Sequence, residues 1–398
     1  MNNSELKQIL INEAKELESY VIEKRRHIHM YPETSYEEEK TASFIEDELQ
    51  KIGYETQRIA KTGVLTILKG TKDGKTVALR ADIDALNMTE ENDVPYCSKI
   101  PGKMHACGHD AHVAMLLGAA KILFKHKNHL RGTLKIFFQP AEEGGAGGQK
   151  IVEEGHMNDI DIIFGIHVWH ELPSGVIGTR KGPMMASADD FVITIKGKGG
   201  HAAAPHQAVD PTAVLTDIYN ALQKLISREI DPFANAVLTA PMFEGSDAFN
   251  VIPPQVTLKG TFRTMDPEVR NHIIKRMREI VQGYSKAWRC EGNVDFGIIA
   301  AYPPLINDIQ AVTELTRILH ELDPVTTMKP TMGGEDFAFY LEKTKGAFLG
   351  LGIYNEEKGI TYPHHHPKFN VDEAILWKGT AIHSLLGFYS IFSSTVEK

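Results

Sequence analysis

Residues 76–83 read TVALRADI, a nearly continuous apolar run that turns acidic only at its carboxyl end. A strand with one wet face alternates apolar and polar side chains, whereas a run apolar throughout has to be covered on both faces. This stretch therefore demands a sheet with helices above and below it. The surrounding patterns supply them. Leu6, Ile9, Leu10, Leu17, Tyr20 and Val21 recur at helical spacing through the first 30 residues, Pro32 stops that run, and an amphipathic helix is expected over about 37–51. Short β-type runs follow at 54–60 and 64–69, then a helix over 109–126, a strand at 133–138, a Gly-rich loop with a short helix, and a strand at 162–168. Such alternation predicts an α/β domain whose mostly parallel sheet is covered by helices.

The pattern changes near Gly182. DDFVITIKG alternates as a half-exposed strand does, and two helices (212–226 and 268–286) fall among four strands. Past Pro303 and Pro304 the earlier alternation resumes, with a helix at 309–321, a strand at 346–353 and a helix from about 373 to the end. The expectation is a discontinuous larger domain, 1–185 and 300–398, with an α+β domain inserted at 186–299. A chain of 398 residues has room for both.

Composition narrows the function classes. A net charge of −9 disfavours nucleic acid as a partner, because polyanion binding needs a basic surplus. No apolar run approaches the 18 residues of a membrane span, and the opening MNNSELKQ lacks a basic segment followed by an apolar one. Three cysteines, Cys97, Cys107 and Cys290, leave one over whatever pairs, which suits a reducing compartment. A cytoplasmic protein is expected.

Residues able to carry chemistry gather at the expected strand ends. Asp82 and Asp84 close one strand; His105, Cys107 and His109 precede or open the next helix; Glu142 and Glu143 follow a strand; His167 and His170 end another; His364, His365 and His366 sit in a late loop. In open α/β sheets the ligand crevice lies outside the carboxyl ends of the strands. Cys107 and His109 cannot share a helix face at a spacing of two, so they converge only from a loop, with Gly108 as the hinge. A thiolate with imidazoles favours a borderline-soft cation such as zinc. Each residue alone has a plainer reading: a buried thiol beside a capping histidine, a solvated acidic turn, a core histidine. Five such segments at one end of one sheet do not. Two other classes remain open at this point. One is a metal-dependent binding protein without turnover; the other is an amidase with Cys107 as nucleophile, which would leave the glutamate pair and the other histidines without a purpose.

The motifs HMYPETSYEEE, RADIDAL, MHACGHDAH, FFQPAEEGGAGG, IFGIHVW, GKGGHAAAPH, NVIPP, GTFR, GGEDF and YPHHHPKF run in this order over nearly the whole chain. Together they resemble the co-catalytic metallopeptidase family of aminoacylases, hippurate hydrolases, indoleacetyl-amino-acid hydrolases and thermostable zinc carboxypeptidases, in the branch with a Cys-Gly-His motif. Asn87 departs from the proline that often follows RADMDAL in that family. The resemblance implies two divalent metal ions per subunit, zinc foremost and cobalt or manganese as alternatives. It implies Cys107, His109, Glu143, His167 and His365 as ligands, the last selected among three neighbouring histidines by counting back from HPKF. It implies Glu142 as general base, His201 as an oxyanion donor acting across a dimer, and Asn250 and Arg263 as substrate contacts. Asp84 would orient a ligand from behind, and Glu335 would stand near the site. The implied reaction is hydrolysis of the amide bond of N-acyl amino acids, or removal of C-terminal residues from short or blocked peptides. The inserted domain would be a lid and dimerisation domain, in a homodimer or dimer of dimers.

Overall fold

The computed structural model describes residues 2–389 and residue 392. The chain separates into two compact units, one drawn from Met1–Gly182, Ile306–Lys329 and Asp336–Lys398, the other from Pro183–Leu305 and Pro330–Glu335.

The first unit is built on an eight-stranded sheet. Its order is Thr56–Ile59, Gly63–Lys69, Arg131–Gln139, Lys72–Asp82, Ile162–Pro173, Lys345–Tyr354, Ile177–Thr179 and Val325–Thr327. The four inner strands from Arg131–Gln139 to Lys345–Tyr354 are parallel. Antiparallel pairs flank them on one side, and Ile177–Thr179 runs antiparallel to Lys345–Tyr354 on the other. The strand Lys72–Asp82 starts exposed and is buried from Val77 to Asp82, so the acidic end of TVALRADI is enclosed. Against the sheet lies the helix His109–Lys125, apolar almost all round and buried at most positions, as a helix inside a core must be. Leu79, Leu116, Leu123, Phe164, Ile382 and Leu385 belong to the single large core there. Removing one such side chain to alanine costs about 2–5 kcal/mol.

The second unit carries an antiparallel four-stranded sheet in the order Ala236–Glu244, Gln255–Thr264, Ala188–Lys196, Glu291–Tyr302. The helices Pro211–Lys224 and Pro267–Ala287 pack on it through Val214, Ile218, Leu222, Ile273, Met277 and Val281, over Phe191, Ile193 and Leu258. Both start with the same device. Asp210 and Asp266 accept hydrogen bonds from first-turn amides, and each is followed by a proline whose missing N–H costs nothing at that position.

Three local expectations are modified. The first helical run is two helices, Asn3–Glu16 and Glu18–Met30, broken at Leu17. Neither glycine nor proline marks the break, and the apolar spacing runs through it. The last run opens with a short 3₁₀ turn, Glu373–Ile375, before the helix Leu376–Gly387; the expected continuation to the end falls largely outside the described residues. The unit boundaries fall at 182/183 and 305/306 rather than 185/186 and 299/300, and Pro330–Glu335 joins the second unit. Long-range hydrogen bonds hold that segment there: the Ala186 amide donates to Thr331 O and lies 3.0 Å from Gly333 O, and the Thr331 amide donates to Met184 O.

Candidate metal centre

The site in the first unit is assembled at the carboxyl ends of the parallel strands. Gly108, at φ 91°, caps the helix His109–Lys125. A β-carbon there would lie 2.4 Å from Val168 Cγ2, so only glycine lets the chain turn this close to the neighbouring strand. The turn leaves Cys107 in the loop and puts His109 at the first helical position. His109 is wholly buried, with Nδ1 2.9 Å from the Asp84 carbonyl oxygen and 3.3 Å from its Oδ1. As those are acceptors, Nδ1 keeps its proton, and Nε2 is the nitrogen left to ligate a cation that displaces its proton.

Asp84 also organises the acidic turn. Its carboxylate accepts the amides of Glu142 (3.1 Å) and Glu143 (2.9 Å) and the hydroxyl of Ser35 (2.8 Å). His167, on the strand Ile162–Pro173, places Nε2 3.4 Å from Cys107 Sγ, while its Nδ1 lies 2.6 Å from Val168 O. His365 has a left-handed backbone (φ 62°), uncommon for a residue with a β-carbon. Its amide donates to Ala106 O, and its Nε2 lies 3.1 Å from Glu143 Oε1. Of its neighbours, His364 packs against His167 and Phe369 with its Nε2 accepting the His170 amide, and His366 stacks on Tyr362.

These residues form overlapping groups. The donor atoms of Cys107, His109 and His167 lie within 4.8 Å of one another, as do those of Cys107, Glu143 and His365, and those of His109, Glu142 and Glu143. The first unit thus brings together six of the expected residues, with Asp84 directly behind them. Sequence reasoning passed over several others. His112 is within ligand distance of Asp82 and His109, yet Asp82 holds its Nδ1 and the Val168 amide donates to its Nε2. Arg80 pairs with Asp82 and with Asp336, which also accepts from Gln139 and the Gly148 amide. The alternation of Arg80, Asp82 and Asp84 in RADID was the available signal, since residues two apart share a face of a strand.

The charges call for a cation. Burial would lower His109, but Asp82, Asp84 and Glu143 surround it and push it up to about 10. Burial likewise works against Asp84, yet the His109 ring and the Glu143 amide hold it below the usual carboxylate range. Burial and the adjacent Glu143 and Glu142 push the Cys107 thiol well above its ordinary value, the reverse of what a nucleophilic cysteine needs. His109 Nε2 is buried with no hydrogen-bond partner, and Glu143 Oε1 has only the His365 ring beside it. Buried polar atoms are almost always satisfied, so an orphaned imidazole nitrogen in a mixed thiol, imidazole and carboxylate set fits divalent metal ligation.

The other expected residues lie in the second unit. His201 and Asn250 meet on a small ribbon: His201 pairs with Val251, and the Ala202 amide donates to Asn250 O. The His201 ring is exposed and its Nδ1 accepts the Ala203 amide, which makes Nε2 the protonated nitrogen when the ring is neutral. Arg263 lies on the strand Gln255–Thr264, with Nη1 beside Gly334; Glu335 is buried.

The chain is 42% identical over 386 residues to thermostable carboxypeptidase 1 of Saccharolobus solfataricus, covering 96% of this chain and 98% of the relative. It is 41% identical over 371 residues to N-acetyl-L-cysteine deacetylase of Bacillus subtilis, covering 92% and 86%. The solved structure of the Bacillus subtilis YXEP protein, described as a dinuclear metal-binding peptidase, superposes with a TM-score of 0.82 at 34% identity, covering 95% of this chain and 99% of that one. Residues 78–386 match peptidase family M20/M25/M40, and the chain belongs to that family.

Proposed function

We propose that this enzyme is a dinuclear metallo-amidohydrolase that cleaves N-acyl amino acids or the C-terminal residues of short or blocked peptides. The observation that carries the reading is the convergence of Cys107, His109, Glu143, His167 and His365, with His109 Nε2 buried and unsatisfied among them. In this reading these five hold two divalent ions, zinc foremost, with cobalt or manganese as substitutes. Bound there, such ions would supply Lewis-acid polarisation of the scissile carbonyl and would lower the pKa of a water towards neutrality.

The chain's own residues do the rest. Asp84 fixes the His109 tautomer and the turn that presents the two glutamates. Glu142 takes the water proton and returns a proton to the leaving amine. His201, with its proton on Nε2, donates to the oxyanion from the partner subunit of a homodimer. Arg263 suits the free carboxylate of the substrate as a planar fork, and Asn250 contacts its polar groups. Glu335 is the supporting carboxylate, and the second unit serves as the lid. The thermostable carboxypeptidase and the deacetylase among the relatives support both substrate types.

The test is a panel of N-acetyl, N-benzoyl and benzyloxycarbonyl amino acids, assayed after dialysis against a strong chelator and again with zinc, cobalt or manganese added. Activity should vanish and return. Full activity in a preparation shown metal-free by elemental analysis overturns the reading.

A further inference from the structure

The turn that bears Glu142 and Glu143 is held from outside by a segment no part of the mechanism uses. Ser35 Oγ lies 2.8 Å from Asp84 Oδ2 and 3.2 Å from Glu143 O, so one hydroxyl serves both the carboxylate and the turn. Tyr36 Oη donates to Gly145 O at 2.9 Å. Glu38 Oε1 accepts the Ala141 amide at 2.8 Å, and its Oε2 accepts the Thr62 hydroxyl at 2.6 Å. Glu38 is fully buried, with one oxygen on the turn and the other on Thr62. At three points, then, residues 35–38 reach residues 141–145.

The tether meets a strained backbone. Tyr36, Ala141 and Ala146 have φ of 61°, 56° and 52°, left-handed values at residues that carry a β-carbon. Between them Gly145 has no room: a β-carbon would lie 2.5 Å from Ala141 Cβ and 3.1 Å from Tyr36 Cε2. Such conformations persist only where the surroundings over-determine them, and they gather where a side chain has to be aimed. A turn of small residues such as AEEGGAGG has little stiffness of its own.

We propose that Ser35, Tyr36 and Glu38 form a positioning clamp, which fixes the strained 141–145 turn and so sets where Glu142 and Glu143 present their carboxylates. The clamp rests on the metal and base roles proposed above for that pair. It acts through the hydrogen bonds of Tyr36 and Glu38, not through the charge of Glu38, and none of its members touches metal or substrate.

The test uses the full chain and two readouts: cobalt(II) affinity, titrated by visible absorption, and kcat at saturating metal. Tyr36→Phe and Glu38→Ala should each weaken cobalt binding or lower kcat by about 10–100-fold, the usual cost of losing an outer support of a metal site. KM should stay close to wild type. Glu38→Gln keeps an acceptor for the Ala141 amide and a donor for Thr62, so it should restore both readouts. A lower melting temperature with wild-type cobalt affinity and kcat in Tyr36→Phe and Glu38→Ala overturns the clamp as a merely structural contact. Glu38→Gln as damaging as Glu38→Ala also overturns it, since charge would then be what matters. Should Glu38→Ala not fold, Tyr36→Phe decides alone. A wild-type chain that takes up no cobalt overturns the metal reading itself, and the clamp with it.

Discussion

Asp84 accepts from His109, Glu142, Glu143 and Ser35, and this is why two adjacent glutamates can be assigned different work. Glu142→Gln keeps the size and removes the basic oxygen; kcat should fall about 10²–10⁴-fold with metal content unchanged, as expected for a lost general base. Glu143→Gln should instead lower metal content, measured by elemental analysis. The reverse pattern means the two roles are exchanged. A second residue sets an acid limit. Burial would raise Glu90, but the His29 ring and the Ser98 amide hold it down at about 2. A carboxyl depressed in the folded state contributes stability above its unfolded value, about 4.5, and loses it as pH falls towards 2. Glu90→Gln should therefore be less stable than wild type near neutral pH, and the gap measured by denaturant unfolding should close below about pH 4.5. At this scale the sequence was informative wherever chemistry is local: Cys107 with His109, Glu142 with Glu143. It was silent on Arg25, Asp110 and His29, whose buried network joins positions 25, 29 and 110, because nothing in a linear pattern pairs them.

Elements whose ends are chemically marked were the easiest to read. The helix His109–Lys125 begins where Gly108 allows it, and Gly108→Ala forces a β-carbon into Val168 at a strained φ. Overpacking of this kind costs about 1–3 kcal/mol, and the variant should unfold at lower denaturant and retain metal poorly. Asp266, which accepts from the Glu268 amide, caps Pro267–Ala287; Asp266→Ala should cost about 1 kcal/mol, with no change in metal content. The three-residue strands Ile177–Thr179 and Val325–Thr327 left no signal. Three residues are too few to show a period, and each exists through its partner, the second pairing with the first.

For the molecule as a whole, the fold class was legible because period and length separate strands from helices, while the boundary at 329/330 rests on hydrogen bonds from Thr331 to residues nearly 150 positions earlier. Pairing of subunits is tested by complementation. His201→Ala and Glu142→Gln should each be inactive, with the first losing roughly 10²–10³ in kcat. Mixed under conditions that exchange subunits, they should regain activity if His201 acts in trans, because one site of the hybrid then has both residues intact. No recovery despite demonstrated exchange refutes the trans role and leaves the metal chemistry standing.

The place of Lys345–Tyr354 in the sheet bears on how the chain is made. It sits between Ile162–Pro173 and Ile177–Thr179, although both are synthesised about 170 residues earlier. A nascent chain emerging from the ribosome therefore carries Ile162–Pro173 as an unpaired apolar edge until nearly the whole protein has been translated. Exposed edges of this kind invite pairing with other chains. Products stopped short of residue 345 should accumulate as aggregates or be degraded, even when they contain Cys107, His109, Glu142, Glu143 and His167.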